Sequence, residues 1–182
     1  MTPVGFTFRR LARDDFALLG RWLAYDHVKR WWHHGHTPDE VEADFGPSAD
    51  GDEPGHDYLA SLDGRPVGLV QFAYFRDYPD YADELGELVD GDDVATIDYL
   101  VGEPGDTGRG IGTAMIRAFV GVVWPTYPDV TELVVPVHVD NRASWSALRS
   151  AGFDHVATVD LEPDNPADTP HHHVHRLVRP RP

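Results

Sequence analysis

The spacing of apolar residues in the N-terminal part of the chain predicts a strand followed by a helix. Residues 6–9 are expected to form the strand, and the apolar positions 16, 19, 22 and 23 fall on one face of a helix. We expect Asp14 to cap this helix, because an aspartate side chain accepts a hydrogen bond from an unpaired N–H group of the first turn. The helix should end near Tyr25.

Two local motifs predict the next elements. The segment Thr37–Glu40 reads Thr-Pro-Asp-Glu, a capping box with proline at the first helical position, and it predicts the start of a short helix. Asp63-Gly64 lies between two apolar runs, residues 58–62 and 66–75. Because a two-residue hairpin turn needs positive φ at both positions, this dipeptide predicts two antiparallel strands.

The rest of the chain alternates strands and helices after one long polar segment. Residues 76–93 show no clear apolar period and are expected to form a loop. The elements predicted after it are a strand at Val94–Val101, a helix from about Gly110 to Trp124 stopped by Pro125, a strand at 131–139, a helix at 142–151 ended by Gly152, and strands at 155–161 and 172–178. This order predicts an α/β fold, with a mixed and largely antiparallel central sheet and helices on both faces.

The length and composition of the chain suit one globular domain. Its 182 residues are 41% hydrophobic, so we expect residues 1–182 to form a single domain. The absence of cysteine excludes disulfides, thiolate zinc ligands and a cysteine nucleophile. Residues 1–10 carry no long apolar run, so neither a secretion signal nor a membrane span is expected, and a cytoplasmic location is the default expectation.

The formal net charge of −16 bears on the choice of partner. Nucleic acid is not expected as a ligand, since binding to its phosphates requires clustered lysine and arginine. An acidic surface can steer a cationic substrate toward the protein. The same charge can equally serve only to keep the protein in solution, so the charge does not identify the acceptor by itself.

The strongest chemical signal is the segment Thr107–Gly112, which reads Thr-Gly-Arg-Gly-Ile-Gly. It follows a predicted strand and precedes an amphipathic helix. Glycines allow backbone N–H groups to surround an anion, and the N-terminus of the following helix adds unpaired donors and a partial positive charge. Three glycines alone are a weak motif, but in this context they predict a pyrophosphate site.

This segment resembles the acyl-CoA signature of the GNAT superfamily, in which Arg or Gln is followed by two residues, Gly, one residue, and Gly or Ala. The glycines match at Gly110 and Gly112, whereas Thr107 stands where Arg or Gln is usual. The segment from Asn141 to Phe153 resembles the second motif of the superfamily, a helix along the pantetheine arm that ends in Ala-Gly-Phe. The resemblance implies the GNAT fold and acetyl-CoA as co-substrate, bound by Leu100, Val101, Thr107, Gly108, Arg109, Gly110, Ile111, Gly112, Thr113, Asn141 and Ser144.

The N-terminal half is similar to the aminoglycoside 6′-N-acetyltransferase group. The similarity rests on His27–Trp32, on the predicted hairpin, and on Ile97-Asp98 before the glycines. We expect one of the two adjacent tryptophans to fill the core and the other to form a partly exposed wall for an amine or sugar ligand. The similarity implies acetyl transfer to a primary amine of a small cationic acceptor, with Trp31, Trp32 and Asp98 lining the acceptor pocket. The acidic segment 76–93 adds Tyr78, Glu84 and Glu87 as candidate contacts to that acceptor, because its charge is complementary.

Acyl transfer to an amine needs a stabilised oxyanion and a group that accepts the proton of the amine. The resemblance implies that backbone N–H groups of Leu100 and Val101 serve the oxyanion. It also implies that Asp98 holds the ammonium group and accepts its proton, directly or through water. We expect a functional role for Asp98 because a strand carboxylate between apolar neighbours is costly to bury.

The sequence does not define the group that protonates the CoA thiolate. The usual tyrosine of the second motif is replaced by Leu148. The thiolate can leave unaided, because the pKa of its thiol is near that of cysteine, or another residue such as Tyr99 can reach it. A third alternative is that catalysis is lost and a CoA-binding sensor remains.

Two clusters of polar residues remain. The acidic residues between positions 77 and 93 offer complementary charge to a polycationic acceptor, although most of them should simply be solvated. The histidines at 171, 172, 173 and 175 lie on a predicted strand whose alternate side chains face opposite sides, so no metal is expected. The alternative functions are a siderophore or lysine-type N-acyltransferase and a non-catalytic CoA- or drug-binding module, and the chain is expected to be a monomer or a homodimer.

Overall fold

Strands and helices alternate along residues 5–181, the part of the chain that the computed structural model describes. Residues 1–4, which belong to the segment expected to carry no signal, lie outside the described residues. None of the helices in residues 5–181 is long and apolar enough to cross a membrane. The elements in chain order are β1 (Phe6–Arg10), α1 (Phe16–Leu23), α2 (Asp26–Lys29), α3 (Pro38–Asp50), β2 (His56–Leu62), β3 (Arg65–Tyr74), α4 (Pro79–Leu85), β4 (Val94–Val101), α5 (Ile111–Thr126), β5 (Glu132–His138), α6 (Arg142–Ser150), β6 (Asp154–Asp160) and β7 (His171–Val178).

The strands form a seven-stranded mixed sheet in the order β1-β2-β3-β4-β5-β7-β6. The pairs β1 with β2, β5 with β7 and β6 with β7 are antiparallel, whereas β4 and β5 are parallel. Parallel neighbours need a crossover connection, and α5 supplies it between β4 and β5. The predicted α/β class with a mixed, largely antiparallel sheet is therefore confirmed.

The residues pack into two compact units, and the chain passes between them inside β3, inside β4 and at the start of α5. Unit 1 contains the described residues up to Gln71 together with Tyr99–Ile111. Unit 2 contains Phe72–Asp98 and the described residues from Gly112 onward. The expectation that residues 1–182 form one domain stays a prediction.

The core of unit 1 is built around the predicted apolar face of α1. Leu19, Trp22 and Leu23 are at most 1% exposed. Burial of each such side chain contributes about 1.5–3 kcal/mol, which fixes α1 against the rest of the unit. The other residues of this core are Leu11, Val28, Val41, Phe45, Leu59, Leu69 and Leu100.

The core of unit 2 brings α4 together with strands β4, β5 and β7. Aromatic contacts extend it, since the rings of Phe72 and Tyr127 stack with centroids 3.9 Å apart and Phe75 packs against Tyr81 at 5.3 Å. The buried residues of this core are Phe75, Leu85, Val94, Val134, Leu161 and Val174.

Both local motifs form as predicted. Asp63 and Gly64 have φ values of 52° and 81°, the positive values that a tight hairpin turn requires. At the start of α3, the carboxylate of Glu40 accepts the backbone N–H of Thr37 at 3.0 Å, and the Thr37 hydroxyl oxygen accepts the Glu40 N–H at 3.4 Å. These contacts confirm the capping box.

The predicted cap of α1 is wrong. A 3₁₀ turn at Arg13–Asp15 precedes the helix, and the cap position belongs to Asp15, whose side chain makes no cap hydrogen bond. The Asp15 carboxylate instead accepts hydrogen bonds from both terminal nitrogens of Arg9, at 2.6 and 2.7 Å, and from the N–H of Ala12 at 3.0 Å. The two-point bond to the guanidinium occupies both oxygens of the Asp15 carboxylate.

Two other predicted boundaries are wrong. Helix α5 continues through Pro125 to Thr126, where the guanidinium of Arg179 donates to the carbonyls of Trp124 and Tyr127 at 2.9 and 2.6 Å. Those bonds satisfy carbonyls that a helix end leaves unpaired. Residues 76–93 were expected to form a loop, but they contain α4. This helix is fixed by Leu85, which is buried in the core of unit 2.

Three histidines of unit 2 form a cluster between β6 and β7. The ring of His155 lies 4.8 Å from that of His173 and 5.6 Å from that of His175, between centroids. His175 is 1% exposed, and its Nδ1 has no hydrogen-bond partner among the described residues. Burial, with a smaller effect of His155, lowers the pKa of His175 to about 4.

We expect this cluster to make the protein less stable in mild acid. In the unfolded chain His175 binds a proton below pH 6.5, whereas in the folded protein it does so only below about pH 4. The free energy of unfolding therefore falls as the pH is lowered from 6.5 to about 4. The full loss is about 3 kcal/mol. Urea unfolding from pH 4.5 to 8 measures it, and His175→Leu should flatten the curve while His171→Gln, at an exposed site on the same strand, should not. Parallel curves for the original chain and His175→Leu would contradict the assignment.

Candidate functional site

The end of β4 is held from two sides within unit 1. The N–H of Gly102 donates to the carbonyl of Val67 in β3 at 2.8 Å. Successive peptide groups of a strand point to opposite sides, so the N–H and carbonyl of Val101 face away from β3. That carbonyl accepts a hydrogen bond from Nε2 of His27 at 2.9 Å. The side chain of Leu100 is 5% exposed and packs in the core of unit 1.

The segment that follows β4, residues 102–110, is here called the glycine loop, and Glu103 fixes its beginning. The Glu103 carboxylate accepts hydrogen bonds from Arg21 at 2.6 Å, from the indole of Trp22 at 3.0 Å and from the hydroxyl of Tyr25 at 3.3 Å. The bonds from Arg21 and then Trp22 lower the pKa of Glu103. Helix α1 and the residues after it therefore set the direction in which the chain leaves β4.

A second carboxylate fixes the middle of the glycine loop. Asp106 is 5% exposed, and its carboxylate accepts hydrogen bonds from both terminal nitrogens of Arg65, at 2.7 and 3.0 Å. These bonds lower the pKa of Asp106, so it remains a carboxylate near neutral pH. The hydroxyl of Thr107 donates to the carbonyl of Pro104 at 2.8 Å, so the residue that replaces the usual Arg or Gln closes the loop on itself.

The last part of the glycine loop has the backbone expected of an anion site. Gly108 and Gly110 have φ values of 69° and 79°, a conformation that L-residues rarely adopt. Residues 107–110 are exposed, and the chain then enters α5 at Ile111. Accessible N–H groups ahead of a helix N-terminus can bind a phosphate.

Gly102 is needed for a different reason, because Trp22 leaves no space for a side chain at this position. A Cβ atom at this position would lie 2.1 Å from the ring of Trp22, so no larger residue fits there without displacing the indole that binds Glu103.

In unit 2, an open backbone edge lies beside β5. Of the β4 residues that belong to this unit, Val94 and Ala95 pair with Glu132 and Leu133. β5 continues to His138 and pairs over its whole length with β7 on its other side. Backbone groups of β5 beyond Leu133 are therefore placed to pair with an extended ligand, as in strand addition.

Asp98 is exposed, so the argument that its burial would be costly is wrong. It lies near Tyr81, a half-buried residue of α4 that the sequence analysis did not select. Burial raises the pKa of the Tyr81 phenol. The carboxylates of Asp98, Asp164 and Glu84 raise it further, which brings charges from three elements of unit 2 around one hydroxyl.

The other acidic and aromatic candidates of this region are at the surface. Tyr78 is 38% exposed and precedes α4. Glu84 is exposed, and its carboxylate accepts the backbone N–H of Glu162 at 3.1 Å, which ties α4 to the segment after β6. Glu87 is exposed in a 3₁₀ turn after α4.

The paired tryptophans follow α2 in unit 1, and both are half-buried. Trp32 packs against the core of unit 1. Trp31 carries the guanidinium of Arg30 over its ring at 4.2 Å. The structure thus gives the core contact to Trp32 and leaves Trp31 as the candidate aromatic wall.

Helix α6 shows why a hydroxyl is missing at the usual place. Leu148 is 0% exposed, so its side chain belongs to the core rather than to a ligand surface. Asn141 caps the helix, its side-chain oxygen accepting the N–H of half-buried Ser144 at 3.2 Å. The hydroxyl of Ser144 lies one turn before Leu148 on the same helical face.

The residues that sequence reasoning missed are Glu103, Asp106, His27 and Tyr81. Their roles depend on partners far along the chain, as the separation of 41 positions between Arg65 and Asp106 illustrates. A weak signal existed, since a carboxylate beside an anion-binding loop requires a cation nearby. In residues 5–181 no group of three or more His, Cys, Asp or Glu side chains is arranged to hold a metal ion.

Comparison with known proteins supports the sequence resemblance. Residues 12–161 match the family described as acetyltransferase (GNAT) domain. The chain is 30% identical over 166 residues to aminoglycoside N(6′)-acetyltransferase type 1 of Klebsiella pneumoniae, covering 88% of this chain and 79% of that protein.

Solved structures give the same result for the fold. A structure of AAC(6′)-Ib with acetyl-CoA bound aligns with a TM-score of 0.80 and 26% identity, over 96% of this chain and 94% of the other. A structure of the same enzyme with coenzyme A and kanamycin aligns with a TM-score of 0.79 and 26% identity, over 96% and 95% of the two chains.

We expect Gly110→Val to weaken acetyl-CoA binding at least tenfold. The left-handed conformation costs an L-residue about 1–2 kcal/mol, and a β-branched residue more, so the loop must change shape. Gly105→Val is the matched control, because Gly105 lies in the same loop without positive φ and with no atom within 4 Å of an added Cβ. Calorimetric titration measures both affinities, and equal affinity in the two variants would remove the phosphate site from this loop.

Proposed function

The chain belongs to the GNAT acetyltransferase family, and on that premise we propose that it transfers the acetyl group of acetyl-CoA to a primary amine of a small cationic acceptor, an aminoglycoside first. The observation that carries the proposal is the glycine loop, whose shape is fixed by Glu103 and Asp106 before any ligand binds. The two similar structures of AAC(6′)-Ib hold acetyl-CoA or coenzyme A, and one of them also holds kanamycin.

The backbone of the glycine loop supports the binding of acetyl-CoA. The N–H groups around Gly108 and Gly110 suit the pyrophosphate, because they can approach it without Cβ interference. Recognition of this kind uses backbone groups, so it tolerates the replacement of the usual Arg or Gln by Thr107.

The carboxylates near Tyr81 support a cationic acceptor. Asp98, Asp164 and Glu84 come from β4, from the segment after β6 and from α4, and all three are exposed to solvent. A ligand with several ammonium groups can pair with more than one of them at once. The Tyr81 hydroxyl keeps its proton there and can donate to a hydroxyl or accept from an ammonium group of the acceptor.

The reaction forms a bond between the acceptor nitrogen and the thioester carbon and breaks the bond between carbon and sulfur. Asp98 pairs with the ammonium group and takes one proton from it, directly or through water, and the nitrogen loses a second proton to solvent after it has bonded to the carbonyl carbon. Backbone N–H groups of Leu100 and Val101, at the end of the same strand, stabilise the oxyanion. The leaving thiolate takes a proton from solvent, or from Tyr99, which is half-buried on β4.

A thiol-release assay over a panel of amines tests the proposal. Acetyl-CoA is mixed with the protein and with kanamycin, spermidine or lysine, and free thiol and acetylated product are measured. Kanamycin should give the highest kcat/KM. Turnover restricted to lysine would favour the siderophore-type alternative, and acetyl-CoA binding with no amine-dependent thiol would mean a binding module.

Asp98→Asn should lower kcat/KM for a cationic amine by about 10²-fold or more, the scale of a lost general base. Its exposed position predicts that fold and acetyl-CoA affinity survive. Asp90→Asn, an equal change of charge in the exposed segment after α4, serves as the control. If Asp98→Asn retains full activity from pH 6 to 9, the base lies elsewhere, at Glu84 or Glu87 first.

Three further points belong to this proposal. Residues 1–182 act as one acyltransferase domain. A cytoplasmic location suits an enzyme that consumes acetyl-CoA. The protein works as a monomer or a homodimer.

A further inference from the structure

His27 contacts the backbone of the strand end that is expected to stabilise the oxyanion, and the proposed reaction gives it no role. Its Nε2 lies 2.9 Å from the carbonyl oxygen of Val101, the last residue of β4. Because a carbonyl oxygen only accepts hydrogen bonds, Nε2 carries the hydrogen and donates it. The imidazole thus holds the strand at the point where the thioester is expected to lie.

The Val101 peptide group faces an edge that β3 does not cover. Gly102 directs its N–H to Val67 of β3, so the N–H and the carbonyl of Val101 both point the other way. The peptide plane between Val101 and Gly102 is held on the β3 side by the bond to Val67, and its carbonyl on the other side is held by His27. The Val101 N–H belongs to the preceding peptide plane, which joins this one at the Val101 Cα, so a plane held on both sides limits how far that N–H can turn.

His27 is itself held in place by its neighbours in unit 1. Its ring stacks on Tyr25 with centroids 5.9 Å apart and planes 23° from parallel. Tyr25 donates to Glu103, just beyond β4. Val28, the next residue, is 3% exposed and shares a core with Leu100. One short segment, Tyr25–Val28, thus contacts three consecutive parts of the chain around the end of β4.

We propose that His27 is a positioning residue for acyl transfer, which orients the Val101 N–H toward the thioester oxygen by holding the Val101 carbonyl. The inference rests on the proposed function. An oxyanion donor is effective only when its direction is fixed before the reaction. Loss of the imidazole donor should therefore affect the reaction step more than the binding of acetyl-CoA.

Two variants separate this role from simple packing. His27→Phe keeps a ring that can stack on Tyr25 but has no donor, and it should lower kcat between about 10-fold and 100-fold, less than the removal of a donor outright. The KM for acetyl-CoA should stay within about threefold. His27→Gln places an amide donor at a similar reach and should recover most of the lost kcat. If His27→Phe does not fold, His27→Glu replaces it, because glutamate matches glutamine in shape but cannot donate when ionised.

A measurement without an acceptor keeps this test independent of the proposed function. In amide NMR spectra of the original chain, acetyl-CoA should shift the Val101 N–H signal differently from CoA, because only the former carries the thioester oxygen. The difference should disappear in the donor-free variant and persist in His27→Gln. Should the amine panel give no turnover while this pattern holds, the proposed function fails and the positioning role stands. Equal Val101 shifts with both ligands in the original chain, or full kcat in the donor-free variant, would overturn the inference.

Discussion

The shape of the glycine loop, which is proposed to bind the cofactor phosphates, depends on two carboxylates that follow β4, Glu103 and Asp106. Negative charges beside a phosphate site would repel the ligand, and a carboxylate as buried as Asp106 is costly without a partner. Arg21 and Arg65 remove both problems, since each pair is formally neutral and its hydrogen bonds satisfy the carboxylate. The loop is then free to bind an anion through its backbone.

The cofactor side and the acceptor side use different physical means. On the cofactor side, the Thr107 hydroxyl is bonded within its own loop, so the expected binding groups are the Arg109 guanidinium, whose side chain is 69% exposed, and backbone N–H donors. Such donors are short-ranged and work in an acidic protein. On the acceptor side, the carboxylates around Tyr81 act over a longer range and suit a polycation. A net charge of −16 therefore opposes neither ligand as long as the cofactor is bound by the backbone.

The burial of Leu148 changes what the protein must do about the leaving group. Leu148 is 0% exposed, so a tyrosine in its place would put a larger ring and a hydroxyl into the core, which is expected to be destabilising. A thiol with a pKa near 8.5 is an adequate leaving group in water. The chemistry then depends mainly on how well the thioester carbonyl is held, which gives the end of β4, with His27 on its carbonyl, added weight.

The sequence by itself determined the features that arise from neighbouring residues. The turn at Asp63-Gly64, the capping box at Thr37–Glu40 and the glycine segment each follow from the conformations allowed to residues a few positions apart. The strand Val94–Val101 also has the predicted bounds, because β-branched and apolar residues fill it except at Asp98. The family resemblance rested on such local motifs, and the comparison with known proteins confirmed it.

Only the tertiary structure decided which partner each polar or charged group takes. Asp15 accepts hydrogen bonds from Arg9 instead of capping α1, and Arg179 donates to the carbonyl of Trp124 near the end of α5. Asp98 is exposed although its neighbour Ile97 is fully buried. Glu103 finds Arg21 across 82 positions of sequence. A hydrogen bond over such a separation leaves no local pattern, because it exists only once the core of unit 1 has brought α1 and the end of β4 together.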